Sequence, residues 1–507
     1  MKLTSRQRLL PLLISTLLGA TISGCAVGPD FKSPDAPATD RYTAQPLPEK
    51  TVATDVAGGE AQAMMIGQQL PAQWWQLFES DKLDQLVTQA FKNSPNTAAA
   101  RAALRQAEEN LNAARGSYFP SVDANTSAQR QRSTTNILGG PGVVSRPYTL
   151  YNASVAVAYT LDVFGGVRRS VEAQSAVVDS QRYELQATYL TLAANVVTAS
   201  VSEASLRDQV AATNDILAAL EKQLSITEQR HQLGAAAYSD VLTARSNLAE
   251  IRATLPTLEK QLAAVQNQLA VYLGQLPSET IASNFDIAEL KLPQQLPLSL
   301  PSELVRQRPD VRAAEARLHQ ASAQIGVATA NLLPQISISG NFGSQATQAS
   351  KLFDDEIWNI GVGLTQPLFH GGELTARRRA ALAAYDEAAA NYRQTVLTAF
   401  QDVADALTAV QTDARALQAQ YEATSSAQAS LGLIERQYAL GSVSFLNLLD
   451  AQRQYQQTRI NYSRALASRY QDTAALFQAL GGNWSDKTIP EASPSSNNSA
   501  QAAATPQ

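Results

Sequence analysis

PNTAAARAALRQAEENLNAARGSYFP, residues 95–120, returns 214 residues later as PDVRAAEARLHQASAQIGVATANLLP, residues 309–334, and the two stretches align without a gap. Ala99, Ala100, Ala102, Leu104, Gln106, Ala107 and Ala114 each meet an identical residue in the second window. Further on, Leu233-Gly234 corresponds to Leu440-Gly441 and Leu273-Gly274 to Leu480-Gly481, at a shift of 207 residues and with 40 residues from glycine to glycine in both copies. Two alanine-rich helices can imitate each other by chance, but chance does not also reproduce the second spacing. A period of about 200 residues is far too long for a solenoid unit. The chain is therefore two similar halves, expected at 73–276 and 302–484. They are joined by a link, 277–301, that carries four prolines and little periodicity.

Within the first half, residues 167–233 contain neither proline nor glycine. Leu185, Tyr189, Leu192, Val196, Ala199, Glu203, Leu206, Val210, Thr213, Leu217, Leu220, Leu224 and Thr227 alternate in steps of four and three, the seam of a coiled coil with Glu203 as its one charged member. Val241, Leu248, Ile251, Leu255, Leu258, Leu262, Val265 and Leu269 continue it beyond Gly234, with Pro256 expected to kink the run. At 1.5 Å per residue the first helix spans roughly 100 Å, a length that suits a tube crossing the periplasm better than a globular core.

Four segments read as strands, two per half. Val155, Val157, Tyr159 and Leu161 alternate with small or polar residues; so do Ile336 and Ile338, and Ile360, Val362 and Leu364. Residues 121–130 carry a weaker, more polar pattern. Such segments have about the nine to eleven residues that a tilted strand needs to cross a bilayer. Four strands cannot close a membrane barrel, and an open edge in lipid is prohibitive. The fold class is therefore mainly α with membrane β: tandem-duplicated long coiled-coil helices plus four strands per subunit. Three subunits would supply a 12-stranded β-barrel and an α-helical barrel.

Composition agrees. Of the 507 residues 45% are hydrophobic but only 6% aromatic, which favours close-packed helices, and a formal charge of −5 disfavours a nucleic-acid partner. Residues 1–24 form a secretory signal, with Lys2, Arg6 and Arg8 ahead of the apolar run 9–20. Ile22-Ser23-Gly24-Cys25 resembles a bacterial lipoprotein signal, which implies diacylglycerol and N-acyl groups on Cys25, the sole cysteine. Ala26 after it implies sorting to the outer membrane. Residues 25–72 then form a Pro-rich, lipidated N-terminal arm, and 485–507 a Ser/Asn/Ala/Gln-rich tail expected to be disordered. After the signal no run of about 18 apolar residues occurs, so no spanning helix is encoded.

CAVGPDF at 25–31, WWQLF at 74–78, RPDVRAAEARL at 308–318, QPLFHGG at 366–372 and LLDAQRQY at 448–455 resemble the outer-membrane efflux protein family. This is the TolC-like group, in its lipoprotein branch that serves RND-type tripartite multidrug pumps. The resemblance covers nearly all of the mature chain. It implies a homotrimer in outer-membrane lipid, a periplasmic adaptor and an inner-membrane RND-type transporter as partners, and transport rather than catalysis. It also implies that the two helix-to-helix turns, with Leu233, Gly234 and Ala235 in one and Leu440, Gly441 and Ser442 in the other, dock the adaptor. Leu446, Asp450 and Arg453 match the family's periplasmic gate, and Asp240 stands where some members place an acidic latch residue. The usual basic latch partner is replaced by Val443, leaving Arg453 and Arg245 as substitutes. His231, His319 and His370 lack metal-ligand spacing, and no nucleophile motif appears. Export of protein or metal ions, and a purely structural coiled-coil lipoprotein of the envelope, remain open as alternative roles at this point.

Overall fold

The computed structural model describes residues 26–132, 147–279 and 285–484. The segment expected to be a signal, the expected lipidation position Cys25 and the tail at 485–507 lie outside the described residues. In chain order the elements begin with β1 (Ala63–Ile66), α1 (Asp81–Asn93), α2 (Pro95–Gly116), β2 (Ser121–Gln131) and β3 (Tyr148–Leu161). The helical hairpin α3 (Gly166–Gln232) and α4 (Tyr238–Tyr272) follows, then β4 (Gln295–Leu298), α5 (Pro301–Gln307) and α6 (Pro309–Ala330). The chain continues with β5 (Gln335–Ala346), β6 (Glu356–Thr365), α7 (Glu373–Ala439) and α8 (Phe445–Leu480). Both α3 and α7 contain 67 residues, roughly 100 Å of helix each. No described helix is long and apolar enough to cross a membrane.

One compact unit takes the chain up to Pro34 together with Leu104–Ser180 and Ala314–Tyr392. Its centre is an antiparallel sheet in the order β2-β3-β5-β6. Residues directly opposed across such a ladder share a face. Leu161, Ile336 and Leu364 make one apolar row, Tyr159, Ile338 and Val362 the next, and Val155, Phe342 and Trp358 a third. Ser337 opposite Gly363 and Ser339 opposite Gly361 lie on the other face, which is small and polar. All four expected strands are present. The segment after Cys25 is clamped within this unit. Val27 donates to the Phe164 carbonyl at 3.0 Å, and the buried Arg169 donates to the carbonyls of Val27 and Gly28 and to Asp30 at 2.6 Å. Gly28 has φ +95°, and a Cβ there would stand 2.5 Å from the Cα of Gly326, so the close approach requires glycine.

The other unit takes Asp35–Ala103, Gln181–Ala313 and the chain from Arg393. The α3 seam is buried as its spacing predicts, with Leu206, Val210 and Leu224 only half-buried. Glu203 does not interrupt it: its side chain is wholly buried, ion-paired to Arg207 at 2.5 Å and bonded by Gln266 at 3.2 Å. The α4 helix runs on through Pro256. WWQLF forms a 3-10 turn whose Trp74, Trp75 and Phe78 are buried against Phe91, Phe477 and Tyr470.

The arm and the link differ from the sequence expectation, which gave them no paired structure. β1 of the arm pairs in parallel with β4 of the link, Ala63 opposite Gln295 through Ile66 opposite Leu298. Four-residue strands, one containing Pro297, are too short to show alternation, and their partners lie more than 200 residues apart. The same arm is held by the fully buried Arg469, which donates to the Glu60 carbonyl at 2.5 Å and to Thr51 at 3.3 Å.

Candidate functional site

The two hairpin tips are built alike. Gly234 and Gly441 both adopt left-handed φ values, +76° and +75°, that any side chain would strain. At the first tip Ala235 donates to the Arg230 carbonyl at 2.7 Å and Gly234 to that of His231 at 2.9 Å. At the second, Ser442 donates to Gln437 and Gly441 to Tyr438, both at 3.0 Å. This paired bonding closes the last turn of α3 and of α7 and satisfies carbonyls that would otherwise be orphaned. Ala244, Phe445, Leu448 and Leu449 are buried together between the hairpins, with Leu224, Ile434 and Tyr438 against them. The outer surface is the reverse: Leu233 and Leu440 are each 84% exposed, an apolar tip presented to solvent by both repeats.

Leu446, Asp450 and Arg453 fall at i, i+4 and i+7 on one exposed stripe of α8. Asp450 accepts from Arg453 at 2.5 Å. Asp240 is not brought to either proposed partner. It sits in the first turn of α4, where its carboxylate accepts from the Ala237 amide at 3.4 Å, a placement that the helix dipole favours. Arg245 pairs with Glu228 at 2.7 Å across the first hairpin. In this chain conformation, then, both candidate latch arginines hold acids other than Asp240.

A second charged region was not legible in the sequence. A cavity of about 450 Å³ opens between α7 and α8, lined by Arg308, Asp402, Asp405, Asp472 and Gln478. Arg308 holds Asp310 at 2.9 Å and Asp402 at 2.5 Å, and donates to the carbonyls of Ala399 and Ala479. Nearby, burial and a hydrogen bond with Asp472 push the Asp413 carboxyl up to about 7. On the sequence these acids look like a solvated helix face; only the packing of α7 on α8 makes them neighbours.

The histidines serve locally. His231 bonds the Ala236 carbonyl at 3.0 Å, His319 bonds Glu172 at 2.9 Å and stacks on Phe31, and His370 is exposed. Among the described residues no group of three or more His, Cys, Asp or Glu could share a metal ion.

The sheet adds the remaining feature. Trp358, Ile360, Val362 and Leu364 on β6 are 68–76% exposed, and each large apolar side chain left in water forgoes about 1.5–3 kcal/mol of burial. A bare apolar face backed by a small polar one is the pattern of a barrel wall in lipid. The family model described as "Outer membrane efflux protein" matches residues 86–275 and 300–482. The chain belongs to the outer membrane efflux protein family. It is 34% identical to the pyoverdine export outer membrane protein OpmQ of Pseudomonas putida, over 87% of this chain and 94% of that protein. It is 30% identical to the probable efflux pump outer membrane protein TtgC of Pseudomonas putida, over 92% and 94%. Among solved structures the outer-membrane channel OprN superposes with a TM-score of 0.79 at 29% identity, covering 91% of this chain and 100% of that one. The Campylobacter jejuni CmeC outer-membrane channel gives 0.82 at 21% identity, a likeness of fold, covering 91% and 95%. This efflux protein thus has the TolC-like channel fold, and its place is the outer membrane of a Gram-negative cell.

Proposed function

We propose that three copies of this efflux protein close their sheets into one twelve-stranded barrel and their helices into one periplasmic tube, a passive and gated exit duct with no enzymatic step. The observation that carries this reading is the four-stranded sheet, with a bare apolar face and two edge strands, β2 and β6, that pair with no other described strand. In lipid each unsatisfied edge amide or carbonyl costs several kcal/mol, so the sheet requires closure by further copies.

The rest of the assembly follows from the exposed ends. The apolar tips around Leu233 and Leu440 offer six docking points per trimer, three of each kind, to a periplasmic adaptor, through which an inner-membrane RND-type transporter loads the duct. Acyl groups on Cys25 would anchor the start of an arm that is already clamped beside the strand-to-helix junction at Phe164. Leu446 and Asp450, repeated three times around the axis, form the constriction, where converging carboxylates repel one another and favour cations. The relatives' names give pyoverdine, antibiotics and toluene as cargo. These share little chemistry, which supports selection by the transporter rather than by the duct, and small molecules as the substrate class here. Full-length protein reconstituted into a planar bilayer is expected to give discrete conductance steps as a trimer. A protein that binds the bilayer but passes no current at any voltage would sink the channel reading.

A further inference from the structure

Behind the helix that carries the gate stripe, the seam between the two helical hairpins is incompletely packed. Leu217, Leu220, Leu248 and Ile251 form one apolar cluster inside the first hairpin, with Ile216 against it. Ala244, Phe445, Leu448 and Leu449 form another where the first hairpin meets the second, with Leu431 against it. Leu220 of the one and Leu431 beside the other both line a cavity of about 170 Å³, walled by α3, α7 and α8. Close-packed interiors leave few voids larger than a water molecule. A cavity of about 150 Å³ already accommodates benzene, so this one has room for an aromatic ring and a short side arm.

The lining selects the charge of that arm. Ile216, Leu220 and Leu431 give the cavity an apolar floor, and Asp215 and Glu435 stand exposed at its rim. Among the described residues neither carboxylate forms an ion pair, and Arg459, the one cation in the lining, reaches Asp208 outside it at 3.9 Å. Gln452 adds an amide whose Oε1 is buried without a hydrogen-bond partner. A small turn of this side chain hands the acceptor to an N–H entering the cavity and removes the cost of leaving it unsatisfied. An acidic rim, an unused acceptor and an apolar floor together favour an ammonium head on an apolar ring and disfavour an anion.

The place of the cavity gives it a consequence. Gln452, Tyr455 and Arg459 recur at i, i+3 and i+7 on α8, and Gln452 lies about 200° around the helix from Asp450. The cavity thus begins at the height of Asp450 and on the opposite side of the same helix. We infer that it is a binding site for a small aromatic ammonium compound, and that the occupant, by joining the two apolar clusters, holds the hairpins together and keeps the constriction narrow. The effect on the gate rests on the conduit reading given above; the binding does not.

Calorimetric titration of phenethylammonium chloride into the full-length protein in detergent tests the site without any current. Saturable binding is expected, with a dissociation constant on the order of 0.1–1 mM. Phenylacetate, with the same ring and the opposite charge, should bind at least about tenfold more weakly. Ala219→Trp sets an indole in the mouth from an exposed position and should abolish binding. Gln452→Met, of similar volume, should weaken binding about tenfold and raise the melting temperature of the free protein, whereas loss of a merely structural hydrogen bond would lower it. No saturable heat in the native protein, equal binding of phenylacetate, or undiminished binding by Ala219→Trp overturns the site. In single-channel recordings phenethylammonium should shorten the openings of the native channel and leave those of Ala219→Trp unchanged. Unaltered native openings, or equal block of both proteins by a cation held in the lumen at Asp450, overturn the link to the gate. Binding by calorimetry from a protein that passes no current would overturn the conduit reading and leave the site standing.

Discussion

Replacing Arg308 by methionine keeps the length of the side chain and removes its fork, and the structure sets the size of the loss. Asp310 and Asp402 are each 42% exposed, so water compensates much of what they lose, and their share is about 0.5–1 kcal/mol each, as for partly solvated pairs. The Ala479 carbonyl weighs more. It lies in the last turn of α8, where carbonyls have no intrahelical donor, and Arg308 reaches it at 3.0 Å. A charge-assisted bond of this kind contributes about 1.5–3 kcal/mol. The Ala399 carbonyl, 3.2 Å away and inside α7, keeps its helical partner and loses little. The expected cost is therefore roughly 3 kcal/mol, or a melting temperature lower by about 5 °C for a cooperative unit of this size. Arg308→Lys should recover less than half, because a single ammonium cannot span two carboxylates and a carbonyl. The assay is loss of helical circular dichroism on heating the purified channel. An Arg308→Met protein melting within about 1 °C of the native one would refute the capping role given to this residue.

Asp413 titrates in the opposite sense to a salt-bridged acid. Its carboxyl ionises near 3.8 when unfolded and at about 7 when folded, so the stability it contributes is present below pH 3.8 and lost as pH rises through about 7. Asp413→Asn should stabilise the channel at pH 8 by about 2 kcal/mol, after halving for partial exposure, and leave it unchanged at pH 4; the same gain at both pH values would contradict the raised pKa that burial gives this carboxyl. Asp450→Ala should raise single-channel conductance or weaken cation preference, and unchanged currents in both respects would remove Asp450 from the constriction. Leu233→Asp with Leu440→Asp should abolish adaptor co-purification while the melting temperature stays put, since both side chains are 84% exposed. Cys25→Ser should remove the mass of the acyl groups from the mature protein; an identical mass shift in both proteins would rule out lipidation.

The features legible in the sequence were those with a period. The α3 seam announced itself because thirteen residues in steps of four and three leave little alternative, and the strands because Ile360, Val362 and Leu364 alternate with small residues. Gly234 and Gly441 were legible as helix-to-helix turns because they recur at matched positions. Arg308, Asp402, Asp413 and Asp472 were not, since charges on a helix read as solvent-facing until a second helix covers them. One signal was available: Asp413 sits beside Ala414, among the buried positions Val410 and Leu417. Arg469 escaped for the same reason, being a fully buried cation whose partners Thr51 and Glu60 lie 418 and 409 residues away.

That last separation bears on how the protein is made. A secreted chain arrives amino end first, yet the seat for residues 51–66 consists of β4, near residue 297, and Arg469 on the final helix. The arm therefore cannot take its final seat until the chain as far as Arg469 has been translocated. Docking of the arm is a closing event in biogenesis, and a truncated product lacking α8 would never reach it. The contact that seats the arm thus joins the two ends of the polypeptide and forms only when α8 is present.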